Sequence, residues 1–125
     1  MSRLGKIILD NNYANPRIII ADVSELPRAI ELVKDINSTR YLKIDEKDII
    51  NLGYKGKKMI GRSADLSRIV TISNLNLREI GSLTEDAYFK ILRGFVNYQT
   101  VMGANSSAYL SVRDEVQKQL IKRMK

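Results

Sequence analysis

The sequence predicts an α+β fold: a single small domain over residues 1–125, with a short mixed sheet, an N-terminal helix, and a C-terminal pair of longer amphipathic helices. Three observations predict it. Short β-branched runs separated by Asn, Pro and Gly fill the first 73 residues, and helical periodicity takes over from about residue 84. A length of 125 residues with 44% hydrophobic side chains is enough for one buried core. No repeat or low-complexity linker divides the chain.

Taken in order, "KIILD" from Lys6 is a short apolar strand, and "NNYANP" has the composition of a turn. "RIIIADV" from Arg17 is β-branched and flanked by breakers, as a buried strand would be. In "SELPRAIELVKDIN", Ser24 can cap a helix and Pro27 falls in its first turn, where a missing amide costs little. Leu26, Ala29, Ile30, Val33 and Ile36 would then share one apolar face. "RYLKI", residues 40–44, is the next strand. Asp45 caps a short helix, "EKDIINL", which Gly53 stops. "RIVTIS", residues 68–73, is a strand by its β-branched content.

"SLTE" places Ser82 and Glu85 at capping-box spacing ahead of a long helix. Tyr88, Ile91, Leu92, Phe95, Val96 and the stretch from Gln99 to Met102 line its buried side. "GANSS" supplies a glycine stop and a new cap. The last helix, Ser107 to Met124, should bury Tyr109, Val112, Val116, Leu120 and Ile121. The helical pair, residues 84–124, suits a homodimer interface as well as a core cover.

The charge balance points to a partner. Lys and Arg number 21 against 14 Asp and Glu, a formal net charge of +7, which favours polyanions through long-range attraction. The chain has no Cys and no His, so thiolate, disulfide and imidazole chemistry are excluded. The expectation is a non-enzymatic protein with no metal and no cofactor. The apolar runs are too short for a signal peptide or a membrane span, which predicts an intracellular, cytoplasmic, soluble protein without membrane contacts.

The basic excess concentrates in "GYKGKKMIGRS", Gly53 to Ser63, with three glycines, four cations and no carboxylate between Asp48 and Asp65. Glycines let the main chain approach a phosphate closely, and lysines and helix-start amides both favour it. The expected order from residue 40 is strand, short helix, Gly-x-x-Gly, basic helix start, strand. Over residues 40–73 this resembles the KH family of nucleic-acid-binding domains, with Gly53, Tyr54, Lys55 and Gly56 as the loop. The resemblance implies a grip on the sugar-phosphate backbone of about four nucleotides, with RNA or single strands favoured over duplex DNA. The binding set is then Gly53, Tyr54, Lys55, Gly56, Lys57, Lys58 and Arg62, with Tyr54 placed to stack on a base or sugar.

Other readings of the same residues stand beside this one. The basic stretch also reads as a solvated turn carrying solubilising lysines, and "LGYKGKK" as part of a helix-hairpin-helix. "NLREI" ahead of the helical pair faintly resembles the groove-reading strand of a ribbon-helix-helix repressor. Asp22, with Asp45, Glu46 and Lys47, imitates the carboxylates and D-x-K spacing of a metal-dependent nuclease. The opposing class is a structural or adaptor subunit of a larger assembly, of phage or ribonucleoprotein type, whose positive charge meets an acidic protein neighbour.

Overall fold

The computed structural model describes residues 3–9, 15–23, 26–34, 38–51, 61–72, 78–103 and 107–124. Among these residues eight strands precede two helices: β1 (Lys6–Leu9), β2 (Arg17–Val23), β3 (Leu26–Val33), β4 (Tyr41–Lys43), β5 (Ile49–Ile50), β6 (Ser63–Asp65), β7 (Val70–Thr71), β8 (Arg78–Leu83), α1 (Glu85–Val101) and α2 (Ser107–Met124). The coarse α+β expectation and the helical pair are present. The sheet is larger than expected, in the order β4-β6-β3-β2-β1-β8-β5, with β7 also on β3. Every described pairing is antiparallel.

The sheet cannot be flat. Its two outermost strands, β4 and β5, lie six inter-strand gaps apart, roughly 29 Å at the usual spacing. Only residues 44–48 join them, a reach of at most about 22 Å. The sheet therefore curls, and the helices occupy its concave side. Ile44 and Ile49 from the joining segment share one cluster with Ile7, Ile18, Ile30 and Leu32 of the strands, and with Leu92, Phe95, Val112 and Val116 of the helices. On the far side Ile8, Ile19, Ala29 and Ile72 form a smaller cluster of their own, with Leu4 and Val70 against it.

The predicted N-terminal helix is a strand. Within residues 26–33 the apolar spacing fits a period of either 3.6 or 2, and the need to pair backbone decides between them. The seven-residue β2 has two edges to satisfy: β1 takes one and β3 the other. Ile30 and Leu32 then face the helices while Ala29 and Glu31 face away. Pro27 sits opposite Asp22, near the connected end of this strand pair and away from Arg17 and Glu31, and its carbonyl accepts from the Ile72 amide at 2.9 Å. Ser24, Ile36 and the "NNYANP" turn before Asn15 lie outside the described residues.

The predicted helix after Asp45 shrinks to one 3-10 turn, Glu46–Asp48. Asp48 accepts the Asp45 amide on its side chain, and its carbonyl accepts from Thr84. Those bonds tie the turn to the end of β8, and the β-branched pair Ile49–Ile50 extends along that strand as β5. The expected stop at Gly53 lies outside the described residues.

Among the described residues of the strand expected over 68–73, Val70–Thr71 forms the paired part. It continues an unforeseen strand: β6 and β7 lie in succession against the same edge of β3, broken by an excursion at residues 66–69. A second unforeseen strand, β8, runs through Ser82, which is therefore a buried strand residue. The helix cap is Thr84, whose hydroxyl accepts from the Ala87 amide at 3.3 Å. On α1, Tyr88, Ile91, Leu92, Phe95 and Gln99 are buried as expected, but Val101 and Met102 project into solvent at 82% and 64% exposure. On α2, Tyr109, Val112 and Val116 are buried while Ile121 is exposed, because the helix turns Leu110, Asp114, Gln117 and Ile121 outward together.

Strand irregularities dock the helices. Pairing of β2 with β3 shifts between Ile19 and Ala21, leaving the Ile20 carbonyl to accept from Gln119 Nε2 at 2.8 Å. The Tyr88 hydroxyl completes this knot through Gln119 Oε1. At the 66–69 excursion, the buried Gln99 donates to the Leu66 carbonyl at 2.9 Å. Each glutamine satisfies an acceptor near a register break in the ladder.

Candidate nucleic-acid interface

The basic stretch is held by its ends. Before it, Asn51 has φ of 57°, and near its far end Gly61 has φ of 82°. Both are left-handed conformations; asparagine tolerates this backbone and glycine adopts it at no steric cost. A Cβ on Gly61 would meet nothing within 4 Å, so its backbone angle, and not crowding, calls for glycine there. Gly53, Tyr54, Lys55, Gly56, Lys57 and Lys58 lie outside the described residues.

Arg62 is the member of the predicted set that is described, and it anchors the stretch to the sheet. Its Nη1 donates to Asn15 Oδ1 at 3.0 Å and to the Leu32 carbonyl at 3.2 Å, and its own carbonyl accepts from Ile44. Asn15 donates onward to Glu31 Oε2 at 3.4 Å, and Glu31 faces the buried Arg17 at 3.6 Å. A polar chain thus runs across the far side of the sheet from Arg17 through Glu31 and Asn15 to Arg62. Sequence reasoning missed this chain. Its signal was Glu31 inside an apolar run, which period-2 alternation pairs with Arg17 once residues 26–33 are a strand.

A second knot secures β4 against β6. Arg40 grips Asp65 with two bonds, 3.1 and 2.9 Å, while the Ser67 amide and hydroxyl also donate to that carboxylate. Burial alone would raise the Asp65 carboxyl, but Arg40 and Ser67 outweigh it and hold it below its ordinary value. The bond to Asp65 correspondingly raises the Arg40 guanidinium, which also lies 5.1 Å from the Tyr41 ring centre.

The ion pairs distribute charge unevenly. Asp22, Glu31, Asp65, Glu79, Glu85, Asp86 and Asp114 are each matched by an arginine or lysine within the fold. Exposed Lys34, Lys47, Arg68, Arg78, Lys90, Arg93, Lys118 and Lys122 have no ion pair among the described residues. Asp45, Glu46, Asp48 and Glu115 remain on the acidic side. Internal pairing consumes most of the described carboxylates and leaves the surface cationic.

Two other predicted arrangements can be placed. Asp22 pairs with Arg3 at 3.1 Å, Asp45 and Glu46 belong to the exposed 3-10 turn, and no three carboxylates among the described residues group for a metal. The described part of "NLREI" opens β8, which is paired on one edge by β1 and on the other by β5. Among the described residues no helix is long and apolar enough to cross a membrane. Compared with protein families, curated proteins and solved structures, the chain matches none.

Proposed function

We propose that this protein binds nucleic acid through the phosphate backbone, RNA or single strands in preference to duplex DNA, and that it acts by binding without catalysis. The observation that carries the reading is the charge distribution: among the described residues most carboxylates are spent on ion pairs within the fold, while Lys34, Lys47, Arg68, Arg78, Lys90, Arg93, Lys118 and Lys122 are exposed and have none. Such a surface attracts a polyanion through counterion release. In this reading Lys55, Lys57 and Lys58 meet phosphates, the Gly53 and Gly56 backbone approaches them, and Tyr54 stacks on a base or sugar. Arg62 acts one step back, fixing where the stretch rejoins the sheet. Anisotropy of a labelled single-stranded oligonucleotide tests this. Gly56→Ala should weaken binding at an unchanged melting temperature, whereas unchanged affinity reduces the stretch to a basic turn.

A second reading, a structural subunit of a larger assembly or a homodimer joined through the helical pair, draws on Val101 and Met102, exposed at the end of α1. Light scattering at high micromolar concentration decides the homodimer form. The mass of one chain rules it out.

A further inference from the structure

Where the start of α1 meets the end of α2, an open groove of about 890 Å³ lies over Leu4. That volume falls within the range of small-molecule sites. Its floor is apolar: Leu4, Phe89 and the Tyr88 ring, the two aromatic rings meeting edge to face at 5.3 Å. The polar atoms beneath are already engaged, since the Tyr88 hydroxyl and Gln119 bond to each other and to the Ile20 carbonyl. Burial pushes the Tyr88 phenol well above its ordinary value, so it stays neutral.

The charges on the wall are separated in space. Arg123 stacks 4.6 Å from the Phe89 ring centre and pairs with Glu85 and Asp86, so its charge is committed. Along α2 this leaves Lys118 and Lys122, one turn apart and without an ion pair among the described residues, beside the apolar floor, with Glu115 on the same wall. Glu115 and Glu85 would repel a multiply charged anion at the same rim. From this geometry we infer that the groove binds a free monoanionic amphiphile: an apolar chain lies over Leu4 and Phe89, and one carboxylate meets Lys118 and Lys122.

Calorimetric titration of the full chain with sodium dodecanoate, below its micellar concentration, tests the assignment. Saturable one-to-one binding is expected, with dodecanol about tenfold weaker because it forgoes the charge-assisted bonds. Lys118→Gln with Lys122→Gln should erase that difference without lowering the melting temperature, since both side chains are exposed. Phe89→Ala should weaken acid and alcohol alike. Equal affinity for acid and alcohol, binding that does not saturate, or displacement of dodecanoate by an oligonucleotide would overturn the inference. The last result would make the groove part of a general polyanion surface.

Discussion

The two sides of the curled sheet share their strands but not their chemistry. Beneath the helices, strand residues such as Ile7, Ile18 and Leu32 meet Leu92, Phe95 and Val116 in one extensive apolar cluster. On the far side four buried apolar residues, with Leu4 and Val70 packed against them, give way to the polar chain of Arg17, Glu31, Asn15 and Arg62. The near side supplies the stability. The far side fixes where the basic stretch re-enters the fold, so the two can be damaged separately.

The largest expected effect is on the near side. Phe95 is fully buried and stacks edge to face on Tyr109 at 5.7 Å. Phe95→Ala should cost about 3–5 kcal/mol in denaturant unfolding. In whatever fraction stays folded, the salt dependence of oligonucleotide binding should not change; a changed slope would show that the two sides are coupled.

Next comes the far side. Glu31→Gln removes the carboxylate facing buried Arg17 and should destabilise by about 2–3 kcal/mol, with the partial exposure of Glu31 softening the penalty for breaking the pair. An unchanged unfolding midpoint would mean that the polar chain carries no weight.

Much of this architecture was legible in the sequence. β1, β2, β4 and α2 follow from apolar runs and turn residues, while α1 differs in its cap, Thr84 in place of Ser82, and in turning Val101 and Met102 outward, as α2 does Ile121. What failed was local ambiguity settled by distant partners. "LPRAIELV" satisfies either period over eight residues, and only the open edge of β2, which lies before it in the chain, makes it a strand. "SAD" and "REIGSL" lack strand propensity and are strands because β3, β1 and β5 flank them. Of the candidate site, the basic stretch and its glycines were visible at once. The roles of Arg62 and Asn51 were not, because one depends on Asn15, 47 residues earlier, and the other on a backbone angle.

Smaller effects separate the two sides by pH. The Asp65 carboxyl is held below the usual 3.8, so its contribution is complete above that value and fades as pH falls through the depressed one. Asp65→Asn should therefore be destabilised by about 1–2 kcal/mol at neutral pH, with the gap to the wild type closing in acid. A gap that persists at pH 2 would assign the loss to packing instead. Smallest is Tyr88→Phe. The Tyr88 phenol is raised, so its contribution holds below the usual tyrosine value of 10.0 and is lost as pH rises beyond it. The variant should lose less stability than the wild type between neutral pH and pH 11.

The central claim is that the cationic surface, led by the stretch between Asn51 and Gly61, meets a phosphate backbone. Oligonucleotide affinity measured across a salt series, for the wild type and for the variant with Lys55, Lys57 and Lys58 all changed to Ala, tests it most directly. The account predicts a steep log-linear loss of affinity with salt, and a slope shallower by about two to three in the variant. No binding at low salt, or the same slope in both proteins, would contradict it.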